Sequence, residues 1–185
     1  HKIILKRLNH KNDKGLVLLH GLPGTGKTTY LRYLVSKVRK KIVFLPPELA
    51  MHIARPDFME LLLDNPNSIL VIEDAENIIT DRSQTQSSAI STLLNLSDGL
   101  LSDCLNIQII CTFNTQLSSV DSALLRKGRL IAKYEFRELT QPKAQALSTA
   151  LRFDGPVNQP MRLCDIYNQS EREFETDKKT SIGFR

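Results

Sequence analysis

One short stretch of the chain combines three glycines with a lysine and threonines, the residue types that bind phosphate groups. It consists of Gly21, Leu22, Pro23, Gly24, Thr25, Gly26, Lys27, Thr28 and Thr29, and fits the spacing G-x-x-x-x-G-K-[ST]. Glycines at this spacing let the backbone wrap a phosphate, while Lys27 can reach β- and γ-phosphates. The hydroxyl of Thr28 can ligate Mg²⁺. The stretch predicts a nucleotide site, and an ordinary glycine-rich turn is the competing interpretation.

Two acids and an amide follow two apolar runs further along the chain. Glu73 and Asp74 come directly after residues 69–72, and Asn114 follows residues 107–113. If both runs are parallel strands, these side chains lie at the sheet edge where ligands bind. The acids could hold Mg²⁺ and orient a water there, and the amide could hydrogen-bond a γ-phosphate or that water. A solvated strand end and a turn residue are the competing interpretations.

Two arginines close to a glycine are the last candidates for chemistry on phosphate. Arg126 and Arg129 stand three positions apart, with Gly128 between them. Arginine stabilises the charge of a phosphoryl group in transfer, because its guanidinium is permanently charged and planar. Taken alone, two such arginines are interpreted as surface residues.

A parallel sheet is the architecture that would bring these groups together. Apolar runs predict four strands, at residues 16–19, 41–45, 69–72 and 107–113, and alternation predicts a fifth at 131–136. Helical spacing predicts helices from Lys27 to about residue 38, at 48–64 with a break at 55–56, at 89–96 and at 122–126. Strands that alternate with helices imply an α/β layer architecture.

The remaining predictions concern segments outside the sheet and the helices that connect its strands. Other predictions are an apolar anchor and loop at 1–14, a mobile polar loop at 80–88, helices at 141–151 and 160–168, and a charged tail from residue 170. Thr140 can cap the first of the late helices. We therefore expect two domains, residues 1–137 as the nucleotide-binding domain and residues 138–185 as a short helical part with the tail.

Composition and charge limit the classes of partner. The net charge of +5 allows contact with nucleic acid or an anionic membrane, although a phosphate site also attracts basic residues. Cys104, Cys111 and Cys164 lie far apart, which argues against a disulfide framework and favours a reducing, cytoplasmic location. No apolar run has the length of a membrane span. Because the chain begins at His1, we expect a fragment of a longer protein, and organelle targeting stays open.

Taken in order, these motifs resemble ATPases of the AAA family within the AAA+ superfamily of P-loop NTPases. GLPGTGKT is similar to the family's Walker A, ILVIEDAE to its Walker B strand, and TLLNLSDGL to its LLNxLDG helix. CTFNT resembles its sensor-1 strand and VDSALLRKGRL its arginine-finger segment, so the resemblance covers about residues 15–136. The stretch beginning SILVIEDAE looks most like the mitochondrial branch that chaperones an iron–sulfur subunit of respiratory complex III, which also has Glu-Asp at Walker B.

The resemblance implies a fold, a reaction and an assembly. The fold would be a parallel sheet in the order 5-1-4-3-2, followed by a small helical lid within residues 138–185. The reaction would be Mg²⁺-dependent hydrolysis of ATP to ADP. It would take place in a homo-oligomeric ring, usually hexameric, with ATP at the subunit boundaries and a protein client. Arg126 and Arg129 would point outward and act on the γ-phosphate of the neighbouring copy.

The order of the two acids leaves two alternatives open, because the family's usual order is Asp-Glu and this chain has Glu73-Asp74. In the direct alignment, Glu73 takes the Mg²⁺ position and Asp74, one methylene shorter, the water-activating position. A shift by one residue would place Asp74 on the metal and Ala75 where the base should be, which implies weak hydrolysis.

Two other functions compete with a client-remodelling ATPase. One is a DNA-directed AAA+ loader or initiator, which the positive charge allows but the lack of a basic stripe with interleaved aromatics disfavours. The other is a weakly hydrolysing nucleotide switch or scaffold, which the order of the acids suggests.

Overall fold

The centre of the structure, a computed structural model that describes residues 1–76, 84–114, 120 and 122–171 (without side chains at 84–88), is a parallel sheet. Its strands are β1 (Gly15–Gly21), β2 (Ile42–Leu45), β3 (Ile69–Ile72), β4 (Gln108–Phe113) and β5 (Leu130–Phe136). They lie in the order β2-β3-β4-β1-β5, and each neighbouring pair is parallel. The expected α/β fold and the strand order 5-1-4-3-2 are confirmed.

Helices connect the strands, because parallel strands need a crossover between them. Before β5 they are α1 (Lys2–Leu8), α2 (Lys27–Lys37), α3 (Pro47–Ala50), α4 (Pro56–Leu63), α5 (Gln84–Asp98) and α6 (Leu100–Leu105). Proline starts both α3 and α4, where its missing N–H costs no helical hydrogen bond. None of the described helices has the length and apolar character that crossing a membrane requires.

The predicted apolar anchor of the N-terminal segment is a helix, whereas residues 9–14 form the predicted loop. Ile4 and Leu8 lie one turn apart on α1, and both are buried in the core layer that also holds Val17 of β1. Packing of this single apolar face stabilises a helix too short to persist alone. The side-chain amide of Gln108 donates to the carbonyl of Arg7 at 2.8 Å, which ties α1 to the start of β4.

Smaller differences lie in the connections between elements. The helix predicted at 122–126 is a turn at residues 122–125, and α6 was not predicted. The polar loop predicted at 80–88 is helical from Gln84 onward, while residues 80–83 lie outside the described residues. A segment of about one turn gains little from its own hydrogen bonds, so tertiary packing decides between helix and turn.

The three inner strands, β1, β3 and β4, are buried on both faces, and their parallel direction places the candidate residues at one edge. Leu18 of β1 belongs to the core layer under α5 and α6, whereas Leu19 belongs to the layer under α1 and α2. Such two-sided burial explains why β1 is an apolar run without alternation. Because all strands run the same way, the phosphate loop after β1, Glu73 after β3 and Asn114 after β4 share the carboxyl edge.

A second compact unit, Leu139–Arg185, follows the first unit, His1–Glu138. Its described part contains α7 (Gln141–Ala150) and α8 (Leu163–Tyr167) around a small apolar core of its own. Thr140 precedes α7 but its side chain makes no capping hydrogen bond, whereas the amide of Gln141 donates to the carbonyl of Val157 at 2.8 Å. The predicted tail lies outside the described residues from residue 172 onward.

Gly21 marks a point where β1 approaches β5 so closely that only glycine fits. Its φ is 138°, and a Cβ placed there would lie 2.1 Å from the carbonyl oxygen of Phe136. We expect Gly21→Ala to lower the free energy of unfolding by about 2–5 kcal/mol in chemical denaturation. Gly128→Ala is the matched control: Gly128 has a φ of 100° but nothing within 4 Å of a Cβ, so the loss should be about 1–2 kcal/mol. Equal losses would contradict the steric argument.

Candidate functional site

The phosphate loop leaves β1 at Gly21 and enters α2 at Lys27. Gly24 and Gly26 have φ angles of 77° and 98°, left-handed values that let backbone N–H groups converge on an anion. Nζ of Lys27 donates to the carbonyls of Gly21 and Leu22, at 2.7 Å and 2.9 Å. The ammonium is folded back into the loop, where phosphate oxygens could replace both carbonyls.

Lys27 is buried close to two carboxylates. The residue is only 6% exposed, and burial lowers the pKa of its ammonium while the charges of Asp74 and Glu76 raise it. The N-terminus of α2 adds a partial positive charge at the same place. The charges of the phosphate loop and of the segment after β3 therefore interact directly.

The two acids after β3 have different surroundings. Glu73 lines a cavity of about 280 Å³ together with Thr28. Oδ1 of Asp74 instead accepts a hydrogen bond from Nδ2 of Asn114, 3.1 Å away. Asp74 has a left-handed φ of 50°, so the chain turns sharply between these side chains. The other residues lining the cavity are Leu31, Arg32, Val35, Ser36 and Phe44.

Glu76 also lies at this site, although the sequence analysis missed it. Its Oε1 accepts a hydrogen bond from the backbone N–H of Asn114, and its charge acts on Lys27. Glu76 is a third acid, two positions after Asp74. That spacing is the one sequence signal that could have pointed to Glu76.

The oxygen donors of Thr28 and Glu73 fit Mg²⁺. This ion takes few protein ligands and completes its octahedral shell with phosphate oxygens and water. In the described part of the chain, no three or more His, Cys, Asp or Glu residues are gathered as a metal cluster. Such a donor set suits a cation that a nucleotide brings with it.

The two arginines differ in their surroundings. Arg126 is exposed, whereas the Arg129 side chain is only 18% exposed and lies against its own chain. Nη1 of Arg129 donates to the carbonyl of Ala123 at 2.9 Å, and Nε lies 3.3 Å from Oδ2 of Asp98. That Nε has the short separation of an ion pair but not the geometry of a hydrogen bond. The outward position expected for both arginines is thus seen at Arg126 and not at Arg129; Asp121, in the same segment, lies outside the described residues.

His20 links the strand ends that carry the site, and the sequence analysis did not single it out. Its ring stacks on Phe113 with the centroids 5.7 Å apart. Burial lowers the pKa of the imidazole, so the ring is neutral at neutral pH. His20 and Phe113 directly precede Gly21 and Asn114, so the stack packs the ends of β1 and β4 together just before these two residues.

Comparison with known proteins agrees with this arrangement. The family described as "ATPase family associated with various cellular activities (AAA)" matches residues 17–138. A 26S proteasome regulatory subunit 6B homolog of Dictyostelium discoideum is 31% identical in an alignment of 155 positions that covers 74% of this chain and 36% of that protein. AAA-ATPase At3g50940 of Arabidopsis thaliana is 36% identical in an alignment of 124 positions that covers 61% of this chain and 27% of that protein.

The extent of these matches determines what they show. The chain spans 27–36% of the length of these two relatives, so the activity and partners of the whole protein do not follow from them. The family match, however, covers most of the chain, including the phosphate loop, both acids, Asn114 and both arginines. The chain therefore belongs to the AAA family of ATPases.

Proposed function

We propose that this domain binds ATP with Mg²⁺ and hydrolyses it within a ring of several copies, in order to remodel a protein client. The observation that carries the proposal is the hydrogen bond between Asp74 and Asn114, close to Lys27. It joins a candidate base, a hydrogen-bonding amide and a phosphate-binding cation at one sheet edge. The family supports ATP as the substrate, and the name of a relative as a regulatory subunit supports an assembly of several chains.

The chain's own residues would divide the work of hydrolysis. The phosphate loop and Lys27 would hold the β- and γ-phosphates, and Thr28 and Glu73 would hold Mg²⁺, which would neutralise charge on the phosphate oxygens. Asp74 orients the attacking water and accepts its proton, while Asn114 holds that carboxylate in place. ATP and water yield ADP and phosphate.

Further positive charge would come from a neighbouring copy. An arginine supplied in trans stabilises the charge that spreads over the γ-phosphoryl oxygens during transfer. Arg126 is exposed and available to a neighbour, whereas Arg129 first has to leave Asp98. We therefore propose Arg126 as the leading group in trans and Arg129 as the second.

Separate variants of Glu73 and Asp74 test which acid holds Mg²⁺ and which orients the water. Asp74→Asn should retain Mg²⁺ and ATP but lower turnover by about 10²-fold or more, because the amide cannot accept the proton of the water. Glu73→Gln should chiefly raise the Mg²⁺ concentration needed for half-maximal turnover. Steady-state turnover over a Mg²⁺ series, with ATP binding measured separately, checks both expectations. Glu60→Gln, an exposed acid on α4, is the control and should behave as wild type.

Other outcomes would favour the alternatives. The opposite pattern in the two variants would support the shifted register, in which Asp74 binds the metal and Ala75 stands where the base should be. ATP binding without turnover in assembled wild-type protein would support the nucleotide switch or scaffold. DNA binding that is detectable at physiological ionic strength and weakens steeply as salt is added would support the DNA-directed loader.

The client is the finer part of the proposal. The Glu73-Asp74 order supports a place in the mitochondrial branch that the sequence resembles, with an iron–sulfur subunit of respiratory complex III as the client. Co-purification of that subunit with an ATP-bound Asp74→Asn assembly, and its release from wild type on hydrolysis, would test this placement. Absence of the subunit from the trapped assembly would contradict it.

A further inference from the structure

We infer that Glu76 is a positioning residue for hydrolysis, holding Asn114 so that its side-chain amide meets Asp74. The inference rests on the proposed function, because it assigns Glu76 a role in the reaction through Asn114. It does not make Glu76 a base or a metal ligand. Contacts between the segment after β3 and the end of β4 support this role.

Asn114 is held at two points by two different carboxylates. Oε1 of Glu76 accepts the backbone N–H of Asn114, and Oδ1 of Asp74 accepts the side-chain Nδ2 at 3.1 Å. Hydrogen bonds to an ionised acceptor are about twice as strong as neutral ones. The first contact fixes the backbone of Asn114, and the second then has a defined direction.

The segment that carries the acids is fastened to β4 as well. The backbone N–H of Asp74 donates to Oγ1 of Thr112 at 3.2 Å, and that of Ala75 to the carbonyl of Thr112 at 2.9 Å. These bonds accompany the left-handed φ of 50° at Asp74. With Glu76 bound to Asn114, the segment is joined to the end of β4 at Thr112 and just beyond it at Asn114, so a shift of either would misplace the pair Asp74–Asn114.

The chemistry of Glu76 separates positioning from direct participation. A positioning carboxylate works through the oxygen that accepts the N–H, which glutamine also possesses. A base or a charge partner of Lys27 works through its negative charge, which glutamine lacks. Glu76→Gln and Glu76→Ala therefore give different results under the two roles.

The test compares these variants with Glu60→Ala, an exposed acid on α4. Glu76→Ala should lower kcat by about 10²-fold, since a small misplacement of reacting groups has that effect. Its KM for ATP should stay equal or fall, because one negative charge near Lys27 is gone. Glu76→Gln should keep most of the rate. In the Asn114→Ala background, Glu76→Ala should cause little further loss, because both changes remove the same arrangement.

Three results would overturn the inference. They are a wild-type kcat for Glu76→Ala, a Glu76→Gln variant as slow as Glu76→Ala, and fully additive losses in the double variant. A general loss of structure would instead raise KM and remove ATP binding, which a binding measurement on each variant would detect.

Amide hydrogen exchange at Asn114 gives a readout that does not depend on hydrolysis. The N–H of Asn114 should be protected in wild type and Glu76→Gln, and exchange faster in Glu76→Ala. If wild type bound ATP without turnover, the proposed function would have failed, and this measurement would still decide whether Glu76 holds Asn114. Unchanged protection in Glu76→Ala would show that it does not.

Discussion

Replacing Lys27 by alanine is expected to reduce ATP binding below detection while the domain stays folded. Truncating one partner of a buried, hydrogen-bonded charge pair costs about 2–5 kcal/mol, which is roughly 30- to 4,000-fold in affinity. Lys27 is the buried cation of the phosphate loop, and its Nζ donates to the loop carbonyls of Gly21 and Leu22. Their oxygens can turn to water in the variant, so the fold does not depend on the ammonium.

Two companion variants sharpen this measurement. Lys27→Met keeps most of the side-chain volume and removes the charge, so it should lose ATP binding as Lys27→Ala does. Lys37→Ala removes an exposed lysine at the other end of α2 and should bind ATP as wild type. Titration calorimetry, with thermal unfolding to check the fold, provides the comparison. Wild-type affinity in Lys27→Met would show that the phosphate loop has been assigned wrongly.

The second large effect is expected at Arg126. If this arginine acts on the γ-phosphate of a neighbouring copy, Arg126→Ala should leave ATP affinity nearly intact and lower turnover by about 10³-fold or more. The turnover per wild-type subunit should rise with protein concentration, because a monomer has no neighbour to supply the charge. Lys127→Ala, an exposed cation next in the chain, is the matched control and should retain activity.

Mixing two inactive variants separates action in trans from action within one subunit. Arg126→Ala subunits keep an intact nucleotide site, and Lys27→Ala subunits keep the arginine. A boundary between the two variants can combine the intact halves, so mixed assemblies should recover part of the activity. Absence of recovery in assemblies shown by mass to contain both variants would count against a shared site. Full activity at dilutions where only monomer exists would exclude it.

The arrangement around Arg129 makes Arg126 the clearer position for that experiment. Arg129 contacts Asp98 and the carbonyl of Ala123 in its own chain. Its removal therefore alters local packing in addition to removing any action on a neighbouring copy. Asp98→Asn can reveal this component, because it weakens the ion pair and leaves Arg129 in place. A loss of turnover in Asp98→Asn would show that Arg129 also acts within its own subunit.

Local sequence determined the phosphate loop and the strands. The loop depends on glycines at fixed spacing, and positive φ at Gly24 and Gly26 is a property that few other residues have. The inner strands could be predicted because burial on both faces needs continuous apolar runs, and the edge strand β5 because its residues alternate. The resemblance implied the strand order, and the topology of the sheet confirmed that order.

Tertiary structure alone decided which polar groups meet. Asp74 and Asn114 lie 40 positions apart in the chain, and their contact exists because β3 and β4 are neighbours in the sheet. The same pairing brings Glu76 to the backbone of Asn114, and the packing of α5 sets Asp98 beside Arg129. Sequence spacing describes only what happens along one element. Glu73 and Asp74 have different surroundings because the chain turns at the left-handed Asp74 and because Asp74 contacts Asn114. Arg126 and Arg129 differ because Arg129 contacts Asp98 and Ala123, whereas Arg126 is exposed.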